Sequence, residues 1–358
     1  VALRSAVARN LGSHIDPLSG PPGVKGEAME QLEDDHRRLP TGRDDQDSAA
    51  LREGSQDPGA PEEGSRGPDA EALAERRHLL SLAFRMLGTV AEAEDAVQET
   101  YIRWYRLSED ERAEIRVPRA WLTRAASRIC LNVLGSARRR HEEYVGPWLP
   151  EPVPSLAFPA GTTTQDPLDR VTLDDSVSTA LLVVLESMTP AERVAFVLHD
   201  VFAVPFPEVA EAVGRTPAAC RQLATSARRR IRADRSRRAS RSEHDDIVRA
   251  FAAAARSGDI AGLVAVLDPD VVLRSDGGGR VTAARRPVHG SDRVSRFLFG
   301  ALSKHPGAEV LEQETPDGLG FALWDEARIF GVVTLEVVDG AVSEVRMMMN
   351  PEKLTLWN

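Results

Sequence analysis

The stretch Thr216-Pro217-Ala218-Ala219-Cys220-Arg221-Gln222-Leu223, running on into Arg228-Arg229-Arg230, decides how this chain is read. Thr216 offers an N-cap oxygen, and Pro217 fits the first helical position, where no amide partner is needed. Cys220, Leu223, Ala227 and Ile231 recur at spacings of three and four, which makes one inward apolar stripe. The outward face then carries Ala218, Ala219, Arg221, Gln222, Thr225, Arg228 and Arg229. Small residues let such a helix approach a groove, and Arg and Gln read base edges or hold phosphates. Just upstream, Phe206-Pro207-Glu208-Val209-Ala210-Glu211-Ala212-Val213-Gly214 is a short helix closed by a glycine. The pair predicts a helix-turn-helix that binds DNA.

The net charge of −10 over 358 residues would by itself oppose a polyanionic partner, but the charge is unevenly spread. Arg228 to Arg241 holds eight arginines against one aspartate, and Arg138-Arg139-Arg140 forms a second basic cluster. Local potential, not net charge, decides where nucleic acid docks. No run approaches the roughly 18 apolar residues of a membrane span, and the N-terminus lacks a signal-peptide core, so a cytoplasmic protein with no membrane partner is expected. Cys130 and Cys220 lie in helical patterns without metal-ligand spacing, which predicts buried thiols, no metal and no cofactor.

Composition divides the chain. Residues 1–68 are rich in Gly, Pro and charge without an apolar period and are expected to be disordered. Met29 is one internal start, so an over-extended reading frame and a regulatory tail both stay open. Residues 69–143 are helical: Leu80, Ala83, Phe84 and Leu87 share a face stopped by Gly88, and Val90, Ala93, Val97, Tyr101 and Trp104 share the next. A third helix starts near Pro118 and runs through Trp121, Leu122, Ala125, Ile129 and Val133, with Trp121 in phase as a core anchor. Residues 144–168 form a linker, and 169–237 a second helical block in which Thr189-Pro190-Ala191-Glu192 is a capping box. Residues 243–358 change character. Helices near Ile247–Ala255 and Ile260–Leu267 precede strands near 271–274, 320–324, 329–338 and 342–349, with turns at Asp276–Gly279 and Asp339-Gly340. A curved antiparallel sheet in an α+β cone is the expectation.

Two surfaces accompany the helix-turn-helix. The helix from Glu92 to Tyr101 bears an acidic face of Glu92, Asp95, Gln98 and Glu99, and the next bears Arg124, Arg128 and Asn132 at four-residue intervals. Holding unstacked bases calls for such a basic track with flat side chains along it.

In this order the motifs resemble bacterial RNA polymerase sigma factors of the extracytoplasmic-function (ECF) class, over about residues 69–235. "AEAEDAVQETYIRWY" is similar to the part of domain two that grips the β′ clamp helices, "PRAWLTRAASRICLNVLGSARRR" to the segment that melts and reads the −10 element, and "MTPAERVAFVLHDVF" with "FPEVAEAVGRTPAACRQLATSARRRI" to domain four, which reads −35. The resemblance implies core RNA polymerase (β′ clamp helices and β subunit) and promoter DNA as partners. It implies polymerase contacts at Asp95, Gln98 and Glu99, and −10 contacts at Arg124, Arg128, Asn132, Arg138, Arg139 and Arg140. It places −35 contacts at Thr216, Ala218, Ala219, Arg221, Gln222, Thr225, Arg228 and Arg229. The family usually has Asn or a similar polar residue where Arg128 stands.

The remaining residues resemble a SnoaL-like domain, and three strings match the SigJ-type subgroup that carries this extension. They are Trp148-Leu149-Pro150-Glu151-Pro152, Asp276-Gly277-Gly278-Gly279 and Asn350-Pro351-Glu352-Lys353-Leu354. The resemblance implies regulation of the sigma core in cis through contacts among them. A Trp flanked by prolines is a stiff apolar hook that must dock; the glycines fit either close backbone approach or a simple hairpin turn. Cones of this kind often enclose an apolar pocket, which leaves a small-molecule ligand open. His289, Asp292, Asp270 and Asp276 are the available acid and base groups, yet their spacing fixes no pair, so no enzyme is expected. Ser291 or Asp292 is expected to cap the helix through Val294 and Phe297. The expected architecture is multi-domain, with two all-α sigma domains and a C-terminal α+β SnoaL-like cone. The rivals are a one-component helix-turn-helix repressor with a ligand sensor, which would have no need of the acidic helix, and a SnoaL-like enzyme fused to a DNA-binding module.

Overall fold

The computed structural model describes residues 68–154, 178–235, 239–325 and 328–358, apart from the side chains of 68, 137–143 and 234–235. The expectations for the first 67 residues, for 155–177 and for the side chains of Arg138, Arg139 and Arg140 lie outside the described residues.

The first block consists of Pro68–Ala74 (α1), Arg76–Leu87 (α2), Val90–Tyr105 (α3), Glu109–Glu114 (α4) and Pro118–Glu143 (α5). Gly88 ends α2 at φ 83°, where a side chain would be strained. Thr89 then caps α3 by accepting from the Glu92 amide. Trp104 is fully buried, donates its indole N–H to Asp69 at 3.0 Å and meets Trp121 edge-on at 5.4 Å. Trp121 is therefore the core anchor its phase predicts.

The second block holds Thr179–Glu186 (α6), Pro190–Phe196 (α7), a π turn at Val197–Val201, Phe206–Val213 (α8) and Pro217–Arg235 (α9). Both halves of the Thr189–Glu192 capping box form. The two blocks, distinct in sequence, fold around one core that joins Leu79, Phe84 and Leu122 to Val194, Leu198 and Val209. Buried Arg193 stitches them together, donating to the carbonyls of Met86 at 2.9 Å and Leu185 at 3.0 Å while pairing with Glu186 at 2.6 Å.

The cone begins with Arg241–Ser257 (α10) and Ile260–Val266 (α11). Strands Leu267–Asp276 (β1), Val288–His289 (β2), Glu309–Thr315 (β3), Gly318–Asp325 (β4), Arg328–Val338 (β5) and Ala341–Met348 (β6) follow, with Ser291–Leu302 (α12) after β2. The strand order is β2-β1-β6-β5-β4-β3. Contrary to an all-antiparallel expectation, β1 runs parallel to β6, because the chain enters from the helices and returns by a long crossover. Asp339 and Gly340 close the β5–β6 hairpin with φ of 50° and 78°, the double positive φ of a tight hairpin turn. The glycines after Asp276 make no such hairpin: β2 lies eleven residues further on, at Val288. Nor does a side chain cap α12, since Gly290 holds the N-cap position and Asp292 pairs with Arg296 at 3.0 Å. Pro351–Lys353 and Thr355–Trp357 end the chain as single 3-10 turns.

Candidate nucleic-acid interface and interdomain latch

The helix-turn-helix forms as the residues dictate. Gly214 ends α8 at φ 71°, and Thr216 Oγ1 accepts from the Ala219 amide at 3.2 Å to start α9. Cys220, Ala224, Ala227 and Ile231 are buried, with Leu223 packed beside them. Thr216, Ala218, Arg221, Gln222, Thr225 and Arg229 stay exposed, and Ala219 is half-buried. Arg221 lies over the Phe206 ring at 5.5 Å, which orients its guanidinium without neutralising it. Arg228 is engaged by Asp200 at 2.5 Å. Cys130 is buried like Cys220, and both are free thiols; burial pushes the Cys130 thiol up to about 12.

On α3, Asp95 and Gln98 are exposed, while Glu99 pairs with Arg103 at 3.0 Å. Glu92 is turned back, accepting from Thr89 Oγ1 at 3.0 Å. The basic face of α5 is differently placed. Arg124 pairs with Glu211 on α8, and Arg128 donates to the Glu211 carbonyl at 3.2 and 2.8 Å through Nε and Nη2. Asn132, one turn on, is exposed. Of the six expected −10 residues, three have described side chains, and two of those, Arg124 and Arg128, are held against the first helix of the helix-turn-helix.

The three strings of the linker and cone meet in one cluster. Asp276, fully buried at the end of β1, accepts from Tyr144 Oη at 2.6 Å, from the Leu149 amide at 2.9 Å and from Lys353 Nζ at 2.8 Å. Lys353 also donates to the Leu149 carbonyl at 2.7 Å and lies over the Trp148 ring at 4.2 Å. Burial lowers the Lys353 pKa, and the Asp276 carboxylate opposes that shift. Asn350 Nδ2 donates to Tyr144 Oη at 2.9 Å. A Cβ on Gly278 would come within 2.4 Å of the Asn350 side chain, so close approach is the reason for glycine there. From the other side, the Glu151 amide donates to the Gly88 carbonyl and its carboxylate accepts from the Val90 amide, both at 2.8 Å. Trp357 donates its indole N–H to the Pro152 carbonyl at 2.7 Å. Glu151 in the linker grips the start of α3, while Tyr144, Leu149 and Pro152 on either side of it are held by the cone.

A second contact joins the cone to the helical body. Asp317, in the β3–β4 turn, accepts from the Thr179 and Ala180 amides at 2.8 Å each, satisfying the open N-terminus of α6. Sequence reading missed Asp317, Tyr144 and Trp357. The Pro316-Asp317-Gly318 run signals a turn, but no local pattern reveals what a turn carboxylate caps.

The cone encloses a cavity of about 1050 Å³, lined by apolar residues such as Phe251, Phe297, Phe321 and Met347. None of the four acid–base candidates lines it: Asp276 is used in the latch, and His289, Asp292 and Asp270 are exposed elsewhere. At the cavity wall, His305 Nδ1 stands 3.7 Å from Asp325 instead. Among the described residues, no group of three metal-ligating side chains converges, and no helix is long and apolar enough to cross a membrane.

Sequence comparison finds two family models in this chain: Sigma-70 region 2 at residues 73–140 and Sigma-70 region 4 at residues 178–231. The ECF RNA polymerase sigma factor SigJ of Mycobacterium tuberculosis is 40% identical over 298 residues, spanning 80% of this chain and 93% of the relative. The crystal structure of the M. tuberculosis extracytoplasmic function sigma factor SigJ superposes with a TM-score of 0.58 at 37% identity, covering 80% of this chain and 98% of that one.

Proposed function

Since the chain belongs to the ECF RNA polymerase sigma factors, which direct core RNA polymerase to promoters, we propose that its own C-terminal cone controls promoter engagement in cis. The observation that carries this reading is the buried Asp276–Lys353 pair closing on the linker backbone at Leu149. A pair so fully removed from water holds its geometry, because opening it exposes an unpaired charge within a nonpolar site.

The rest follows from which faces are open. Asp95 and Gln98, with Glu99 beside them, meet the β′ clamp helices, and the cytoplasm is where this happens. The α9 face reads −35, Arg221 and Gln222 at base edges and Arg229 at phosphate, while Thr216, Ala218, Ala219 and Thr225 allow close approach. Arg228 adds a phosphate contact once it leaves Asp200. Arg124, Arg128 and Asn132, extended by Arg138, Arg139 and Arg140, hold melted −10 DNA. Glu211 competes for that face, so α8 must leave α5 before the −10 strand enters. The cone holds both the linker and the start of α6, and so sets how far the two helical blocks can part. Its apolar cavity supports a small-molecule ligand as the signal.

The test is promoter-dependent transcription with core RNA polymerase. The full chain is compared with a chain ending at Arg241 and with the full-length Lys353→Met variant. Output should change in both. Unaltered transcription in both would sink cis control, and DNA binding without polymerase-dependent transcripts would make the chain a repressor.

A further inference from the structure

The cavity and the latch share a wall. The turn Pro351–Lys353 turns Lys353 toward Asp276 and the linker, while its neighbours Pro351 and Leu354 line the cavity. Arg280, just after the Asp276–Gly279 string, lines the cavity too and reaches back to this turn, donating to Glu352 at 3.1 and 2.7 Å. Whatever fills the cavity therefore touches both strands of the latch from behind.

The cavity's own chemistry limits what fills it. The interior is aromatic and aliphatic, with Phe251, Phe297 and Phe321 among its walls. Charge is confined to a few positions and is mostly of one sign: Arg256, Arg280, Lys304 and Arg328 stand against Asp325 among the described lining residues. Asp325 faces His305, and Arg256 pairs with Glu312 at 3.1 Å. Lys304 and Arg328 have no carboxylate partner among the described residues. The Arg280–Glu352 pair is about two-thirds exposed on both sides, so it contributes little and yields readily to another anion. An apolar chamber whose edge carries Lys304 and Arg328, unpaired among the described residues, suits a molecule with a long apolar body and one acidic head.

We propose that the cone binds an anionic amphiphile, its apolar body in the cavity and its acid group on Arg280 and Arg328, and that occupancy acts on the linker through the Pro351–Leu354 turn. This rests on the cis-regulatory reading above and names its ligand class. The acid group takes Arg280 from Glu352, and the body packs against Pro351 and Leu354. The turn that carries Lys353 then settles in a different position relative to Asp276. Binding and latch are thereby linked, and each must change the other's equilibrium.

Decanoate serves as the anionic probe, and decanol as its uncharged match, both titrated into the full chain by calorimetry. Decanoate is expected to bind at least about tenfold more tightly than decanol. The Arg280→Gln/Arg328→Gln double variant should bring the two to within about twofold, with decanol affinity unchanged. Gly300 lines the cavity at an exposed position where an added Cβ meets nothing, so Gly300→Leu adds bulk at the rim and should weaken binding of both probes. In parallel, amide hydrogen exchange of residues 144–153 should change when decanoate saturates the full chain, and less in Gly300→Leu at the same decanoate concentration. Equal affinity for the two probes, no binding of decanoate, or an unchanged preference in the arginine variant would overturn the ligand class. Binding without altered exchange at 144–153 would overturn the linkage. If decanoate fails while Lys353→Met still alters transcription, the ligand class falls and cis control stands; decanoate binding with transcription unaltered in both Lys353→Met and the chain ending at Arg241 removes cis control alone.

Discussion

Glu151 shows how much a single buried acid constrains this molecule. It lies between the linker and α3, 2% exposed, and faces the Val90 amide, Lys353, Glu94 and Thr355. Burial pushes its pKa up to about 7; the Val90 amide and the Lys353 ammonium offset that only in part. The folded protein thus holds a proton on Glu151 that the unfolded chain releases near the ordinary carboxylate value. Stability from this group is complete below the unfolded pKa and is lost as pH rises through about 7. Between pH 5 and pH 8 the loss should be on the order of 2 kcal/mol. Urea unfolding at the two pH values, compared with Glu151→Gln, measures it. The variant should show a shallower decline, and identical slopes would mean that Glu151 ionises freely in the fold.

At the scale of elements, α8 and α5 share the buried core through Val209 and Leu122, and only the polar contacts at the rim of that packing part at little cost. Arg124 and Glu211 are 41% and 56% exposed, and an ion pair so open to solvent contributes about 0–1 kcal/mol. Reversing the charge with Glu211→Arg should lower stability by no more than about 1 kcal/mol. It should also free Arg124, while the residue 211 carbonyl keeps Arg128, and raise affinity for single-stranded −10 DNA roughly fivefold, the factor that such an energy supports. Unchanged affinity in a fluorescence-anisotropy titration would show that Glu211 does not gate this face. The elements themselves were unequally legible. Helices α8 and α9 carry their own punctuation, Gly214 to stop one and Thr216-Pro217 to start the other, so local chemistry sufficed. Strand β3 did not announce itself, because Glu309-Val310-Leu311-Glu312-Gln313-Glu314-Thr315 lies at the sheet edge and keeps three glutamates. The parallel pairing of β1 with β6 also escaped, since strand direction depends on a connection and leaves no mark within either strand. The linker, glycine-loop and terminal strings were readable as docking pieces. Their partner Tyr144 and the α6 cap Asp317 were not, since Tyr144 meets Asp276 across 132 residues and Asp317 meets Thr179 across 138.

Over the whole molecule, the arrangement of contacts ties the cone to the helical body more firmly than ordinary domain neighbours, whose interfaces are polar and transient. Asp276 and Lys353, both of the cone and with side chains 0% and 7% exposed, form one tie by holding the linker at Leu149. Asp317 forms the second by capping α6, and the two ties reach different helical blocks. Removing one partner of a buried pair costs roughly 3–5 kcal/mol, and loss of a capping carboxylate about 1 kcal/mol. Those amounts are comparable to the stability of a domain, so they can decide whether cone and body unfold together. The full chain should melt in one calorimetric transition, with equal calorimetric and van't Hoff enthalpies. The Lys353→Met/Asp317→Ala double variant should melt in two, the cone separating from the helical body. A single transition in the double variant would place the coupling elsewhere, in the packing of Leu356 on the helical core and the Trp357 bond to Pro152, and would move the centre of cis control from the charged latch to the chain's last turn.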